Sequence, residues 1–149
     1  MTAHYSRKIY LIGSLRNSQI PWIAEQFRED GHRVFDDWFS AGPGADDAWK
    51  AHEEFKGRSL IEALLAPAAQ HVLDFDNKWL DWCDTAILAM PAGKSAHLEL
   101  GSQIGARKDT HVLFPKDTNL QRWDVMYGKA NGVWASIHSL RKHLLYGGN

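Results

Sequence analysis

The shortages in this 149-residue chain are its first guide. A single cysteine, Cys83, excludes an internal disulfide framework and any cysteine-rich zinc site. Charge of one sign is also missing. The net charge is −1 with neutral histidines, so no basic field invites a nucleic-acid polymer and no acidic tail stands out. No run approaches the roughly 18 apolar residues of a membrane span, and the opening MTAHYSRK has no segment of signal-peptide character. A cytoplasmic protein without a membrane partner is the expectation. Internal repeats and low-complexity tracts are absent as well.

Several motifs are present only in part. There is no GxGxxG, so a dinucleotide site has no support. Gly93-Lys94-Ser95 looks like the end of a P-loop, but the glycine that pattern needs five residues earlier is Leu88. His97-x-Glu99 lacks the Pro-Cys-x-x-Cys of the zinc deaminases, and the other histidines show no ligand spacing. No metal and no cofactor are expected. Cys83 falls on an apolar stripe, the place of an inert core thiol.

What remains is a globular composition, 44% apolar and 23% charged, sufficient for one domain with a real core. Seven tryptophans are many for this length, and packing is the expected use of most. Residues 8–12, KIYLI, read as a buried strand ending at Gly13-Ser14. A helix follows, with Pro21 in its first turn, an apolar stripe of Ile20, Ile23, Ala24 and Phe27, and Gly31 as its stop. Residues 33–35 form the second strand, which completes a βαβ unit and predicts a parallel sheet. Residues 46–65 look helical with a split at Gly57 and Ser59, and residues 68–83 form another helix. This is a helical excursion with no strand signal. Strands are expected again at 85–90 and 110–114, the first followed by a helix to about residue 108. Residues 117–131 read as an aromatic loop and 133–145 as a tail helix. The fold class is α/β, a doubly wound, flavodoxin-like parallel sheet of four or five strands.

In such sheets ligands sit outside the carboxyl ends of the strands. Three unusual stretches fall there: Gly13-Ser14-x-Arg16, Asp36-Asp37-Trp38, and Gly93 through Glu99. The last opens a helix, whose N-terminal N–H groups and positive dipole end form an anion cradle. Ser95 and Glu99 are four residues apart on one face of it. Taken singly, Glu99 reads as a solvated carboxylate, Asp37 as a turn residue, Arg16 as a surface cation and Asp76 as an exposed helix acid. Their convergence at one sheet edge suggests instead a carboxylate nucleophile with a second carboxylic acid, the pair that breaks glycosidic bonds. Ser14, Arg16 and Ser95 would bind an anionic group.

Lys8-Ile-Tyr-Leu-Ile-Gly-Ser-Leu-Arg16, the acidic helix with Asp76, Cys83-Asp84-Thr-Ala-Ile-Leu and Ser95-Ala-His-Leu-Glu-Leu-Gly101 resemble the nucleoside 2-deoxyribosyltransferase family. The resemblance covers residues 8–127, and its first motif is closest to the deoxynucleoside 5′-monophosphate N-glycosidase branch. It implies Glu99 as the covalent nucleophile at C1′ of the deoxyribose and Asp76 as the carboxylate that serves the base. It further implies that Tyr10, Gly13, Ser14 and Arg16 line the sugar and phosphate, with Ser95 at the phosphate; Gly93 is a further substrate-binding candidate. Asp37 and Trp38 join them as substrate-binding candidates. The family completes its site with a loop from a second subunit. Residues 122–127, with Asp124 and Met126, sit where that loop would be, so a homodimer is implied. Lys94-Ser-Ala-His97 departs from the family's Gly/Ser-rich helix opening. Hydrolysis and transfer to a second base both stay open, as do an NAD-type glycohydrolase and a nucleotide-binding module without turnover.

Overall fold

The computed structural model describes residues 5–115 and 123–147. Arg122 and residues 117–121 of the expected loop lie outside the described residues, as does His4. Five strands, β1 (Lys8–Ile12), β2 (Arg33–Phe35), β3 (Thr85–Ala89), β4 (Asp109–Leu113) and β5 (Gly132–Trp134), form one sheet in the order β2-β1-β3-β4-β5. Every pairing is parallel. This is the flavodoxin-like order that the sequence predicts. β3 is buried along its whole length, and β1 after its first residue. Their unbroken apolar runs follow from being covered on both faces.

Side-chain alternation along β1 sorts the core into two layers. Ile9 and Leu11 face α1 (Ile20–Glu29) and α6 (Ile137–Lys142), through Ile20, Ile23, Phe27 and Leu140. Tyr10 and Ile12 face α4 (Pro67–Trp82) and α5 (Lys94–Gly105), through Leu80, Cys83, Ala96 and Leu100. Cys83 is thus core. The excursion between β2 and α4 comprises a 3-10 turn (Asp37–Ala41), α2 (Ala45–Phe55) and α3 (Leu60–Leu64). It splits where Gly57 takes a positive φ of 74° and Ser59 closes a capping box with Glu62. Its outer side leaves Phe55, Ile61 and Leu65 at least 74% exposed. Among the described residues no helix is long and apolar enough to cross a membrane.

Two boundaries differ from the sequence expectation. The helix after β3 ends at Gly105, not near 108. Arg107 adopts φ 61°, its N–H donates to the Ile104 carbonyl, and the Lys108 N–H reaches back to that of Gln103. That is a Schellman stop with arginine in the usual place of glycine. Residues 133–136 are also not helical. Gly132-Val-Trp134 pairs with β4, and the tail helix starts only at Ile137, where the Ser136 hydroxyl accepts from the Ser139 N–H. A three-residue strand carries no period to read.

Gly132 is required by its surroundings. A Cβ there would lie 2.6 Å from Trp134 Nε1 and 2.7 Å from His111 Nδ1, which are themselves joined by a 3.0 Å hydrogen bond. Gly132→Ala is expected to cost roughly 1–3 kcal/mol by forcing those rings apart. A urea melt checks it, and an unchanged midpoint would show that the rings yield freely.

Candidate active site

The strand order reverses between β1 and β3: the chain leaves β1 for α1 on one face and β3 for α5 on the other. In sheets of this order that point, outside the carboxyl ends of the strands, is where ligands bind. Tyr10 comes to it from β1, Glu99 from the second turn of α5, and Asp76 from the middle of α4. The Tyr10 hydroxyl is close enough to the Glu99 carboxylate to act on it as a hydrogen-bond donor. Asp76 is close enough for its charge to act on both. Three residues that lie 66 and 23 positions apart in sequence therefore meet.

The electrostatics of this cluster are unusual. Burial, and then the like charge of Asp76, raise the Glu99 carboxyl to about 7, against the opposing hydrogen bond from Tyr10. Burial also raises Asp76. Tyr10 is driven far upward by burial and by the two carboxylates, so its phenol stays protonated and can only be the donor to an ionised Glu99. Two partly buried carboxyls, neither shown with a cationic partner, make a site that holds one proton near neutrality. Such pairs are characteristic of acid–base and nucleophilic chemistry.

Aromatic packing shapes the wall behind Asp76. Phe35 stacks on Trp79 at 4.6 Å between centroids, 10° from parallel, and Trp79 meets Trp82 edge-on at 5.2 Å. Trp38 and Trp134 pack on the core as well. Trp22 and Trp123 do not; they are 52% and 91% exposed. The expectation of packing holds for four of the seven tryptophans.

The remaining candidates fall into two groups. Gly13, Ser14 and Arg16 form the turn after β1, where the Ser14 hydroxyl accepts from the Arg16 N–H at 3.1 Å. Arg16 is exposed. Gly93 is the N-cap of α5 and supplies no side-chain cap, so the first N–H groups of that helix, beside exposed Ser95, are open to an anion. These two loops follow β1 and β3, the adjacent strands between which the order reverses. Trp38 is held by the fold: its indole N–H donates to the Leu11 carbonyl at 2.8 Å, and its ring lies against Gly13. Asp36 is tied to Arg28 at 2.6 Å, and Asp37 is exposed in the following 3-10 turn. Asp124 caps its own 3-10 turn (Val125–Lys129) by accepting from the Met126 N–H at 2.9 Å. Met126 is 58% exposed.

One pairing has no sequence signal. His97 Nε2 lies 3.0 Å from the Tyr127 hydroxyl, thirty residues away. Only the aromatic character of residues 123–127 hinted that they dock. Of the other histidines, His111 and His32 are buried hydrogen-bonding partners, His32 accepting from the Arg7 N–H. Scans against protein-family models and curated proteins find no match to this chain.

Proposed function

We propose that this chain is an N-glycosidase of the nucleoside 2-deoxyribosyltransferase type, acting on a nucleoside 5′-monophosphate. The observation that carries the reading is the Glu99 carboxyl raised to about 7 between Tyr10 and Asp76 where the strand order reverses. With substrate bound, the Glu99 carboxylate attacks C1′ of the sugar. The C1′–N bond breaks, and the base leaves with the one proton of the pair, which passes to Asp76 as Glu99 ionises and from Asp76 to the base. The resulting glycosyl ester is opened when water attacks C1′. Asp76, now a carboxylate, accepts the water's proton, which releases the sugar phosphate and restores Glu99. Tyr10 steadies the Glu99 oxygen that is not attacking. A free base in place of water would give transfer.

The turn at Gly13, Ser14 and Arg16 and the open N-terminus of α5 beside Ser95 favour a 5′-phosphate, which offers these donors three acceptor oxygens. Arg16→Ala should raise KM for a monophosphate about tenfold and leave the free nucleoside unaffected. Equal effects on both would remove Arg16 from the phosphate site.

The deciding experiment incubates the wild-type chain with nucleoside 5′-monophosphates, free nucleosides and NAD, each with and without an added base. Chromatography then reads the liberated base. Base released from a monophosphate supports hydrolysis, and a new nucleoside formed only with added base supports transfer. Nicotinamide release would replace the reading with a dinucleotide glycohydrolase. Silence across the panel, with a ligand still raising Tm, would replace it with a binding module. The homodimer belongs to the same proposal, and sedimentation of the chain tests it.

A further inference from the structure

His97 lies in the first turns of α5, two residues before Glu99. Its two ring nitrogens face different partners. Nδ1 is 2.6 Å from the Gly93 carbonyl, the N-cap oxygen of the same helix. A carbonyl only accepts, so Nδ1 carries the proton. In the neutral ring Nε2 is then the acceptor, and the Tyr127 hydroxyl donates to it at 3.0 Å. The Tyr127 ring is packed too. It meets Phe114, just past β4, edge-on at 5.1 Å, and its hydroxyl lies 4.0 Å from Met90 Sδ, just past β3.

The chain thus comes back over the carboxyl ends of β3 and β4, where Tyr127 is fastened to His97, Phe114 and Met90. Around that residue the segment is loosely held: Trp123 is 91% exposed, Val125 85% and Met126 58%. Among residues 123–129 Tyr127 alone is partly shielded from solvent, and the imidazole holds its hydroxyl. Because that imidazole also bonds to the N-cap of α5, the segment is referenced to the helix that carries Glu99.

We infer that His97 is a positioning residue which, through Tyr127, fixes residues 123–130 over the β3–β4 side of the site and so shapes the space beside Glu99. The kinetic consequence rests on the glycosidase reading; the fastening itself does not. A substrate that reaches past Glu99 toward β4 would meet this segment, and its binding would depend on the His97–Tyr127 bond.

Tyr127→Phe removes only the hydroxyl, His97→Ala removes the acceptor, and the double variant removes both. Amide hydrogen exchange over residues 125–130 is measured first, without substrate. Both single variants should exchange at least tenfold faster than wild type, with the double no faster than either, because one bond is lost in all three. In turnover, KM should rise several-fold in each variant while kcat stays within twofold. The pH limb set by Glu99 should not move. Exchange unchanged in Tyr127→Phe, or effects that add in the double variant, would overturn the fastening. Faster exchange with an unmoved KM would overturn the positioning role. A wild-type chain that exchanges slowly at 125–130 but releases no base would overturn the glycosidase reading and leave the fastening intact.

Discussion

Glu99→Gln is expected to abolish base release, with kcat lower by about a thousandfold or more, while the fold persists. Glutamine keeps the size of the side chain and can still accept from Tyr10, but it cannot form the glycosyl ester. Retention of full activity would remove the mechanism. The same substitution carries an internal control on folding. In an unfolded chain the carboxyl titrates near 4.5, whereas in the folded site it titrates near 7. The native state therefore favours the protonated form. That contribution is complete below pH 4.5 and is lost as pH rises through 7. Above pH 7 the wild type carries an ionised, partly buried carboxylate, a cost on the order of 3 kcal/mol. Glutamine has none. The variant should melt several degrees above the wild type at pH 8 and level with it at pH 4, a gain in stability bought with function. A variant that melts lower at pH 8 would show that the site does not strain Glu99.

The pH dependence should follow from the same cluster, with opposite shifts on its two sides. Turnover needs one proton left on the Glu99–Asp76 pair, so kcat/KM of the wild type should fall as pH rises through about 7, where that last proton is lost. Asp76 pushes Glu99 up, so Asp76→Asn should move the Glu99 titration to lower pH. Tyr10 pulls it down through its hydrogen bond, so Tyr10→Phe should move it higher. Asp76→Asn also removes the proton donor and most turnover, so the shift is best read by carbon NMR of labelled glutamate, with Glu99→Gln locating the resonance. No shift in either variant would show that burial alone sets the value.

Much of this was legible in the sequence because parallel strands covered on both faces are unbroken apolar runs. KIYLI and TAILA announce themselves, and the turns that follow them mark the carboxyl ends. Gly31 likewise ended a helix, and Gly57 and Ser59 split the excursion, where they were expected to. β5 escaped because three residues hold no period, and the apolar stripe of the tail helix could be extended back through Val133. Arg107 escaped because a helix stop is anticipated at glycine, not arginine. For the site, strand-end placement brought out Gly13, Ser14, Arg16 and Glu99. Asp76 depended on the family resemblance, since nothing in its own helix distinguishes it from Asp74 or Asp81. Tyr10 likewise depended on the resemblance, since by its own pattern it reads as one more core residue of β1. The His97–Tyr127 bond joins residues thirty apart with no repeating pattern, and only coordinates reveal it.

The brevity of β2 and β5 has a bearing on how copies of the chain could meet. They are the two margins of the sheet, and each is three residues long. A margin that short presents too few free peptide groups to template a neighbour's strand, so end-to-end growth of the sheet is disfavoured. The greasy surface lies elsewhere, on the outside of the helices between β2 and β3, at Phe55, Ile61 and Leu65. A contact made through those helices would leave the five-stranded sheet of each copy complete in itself.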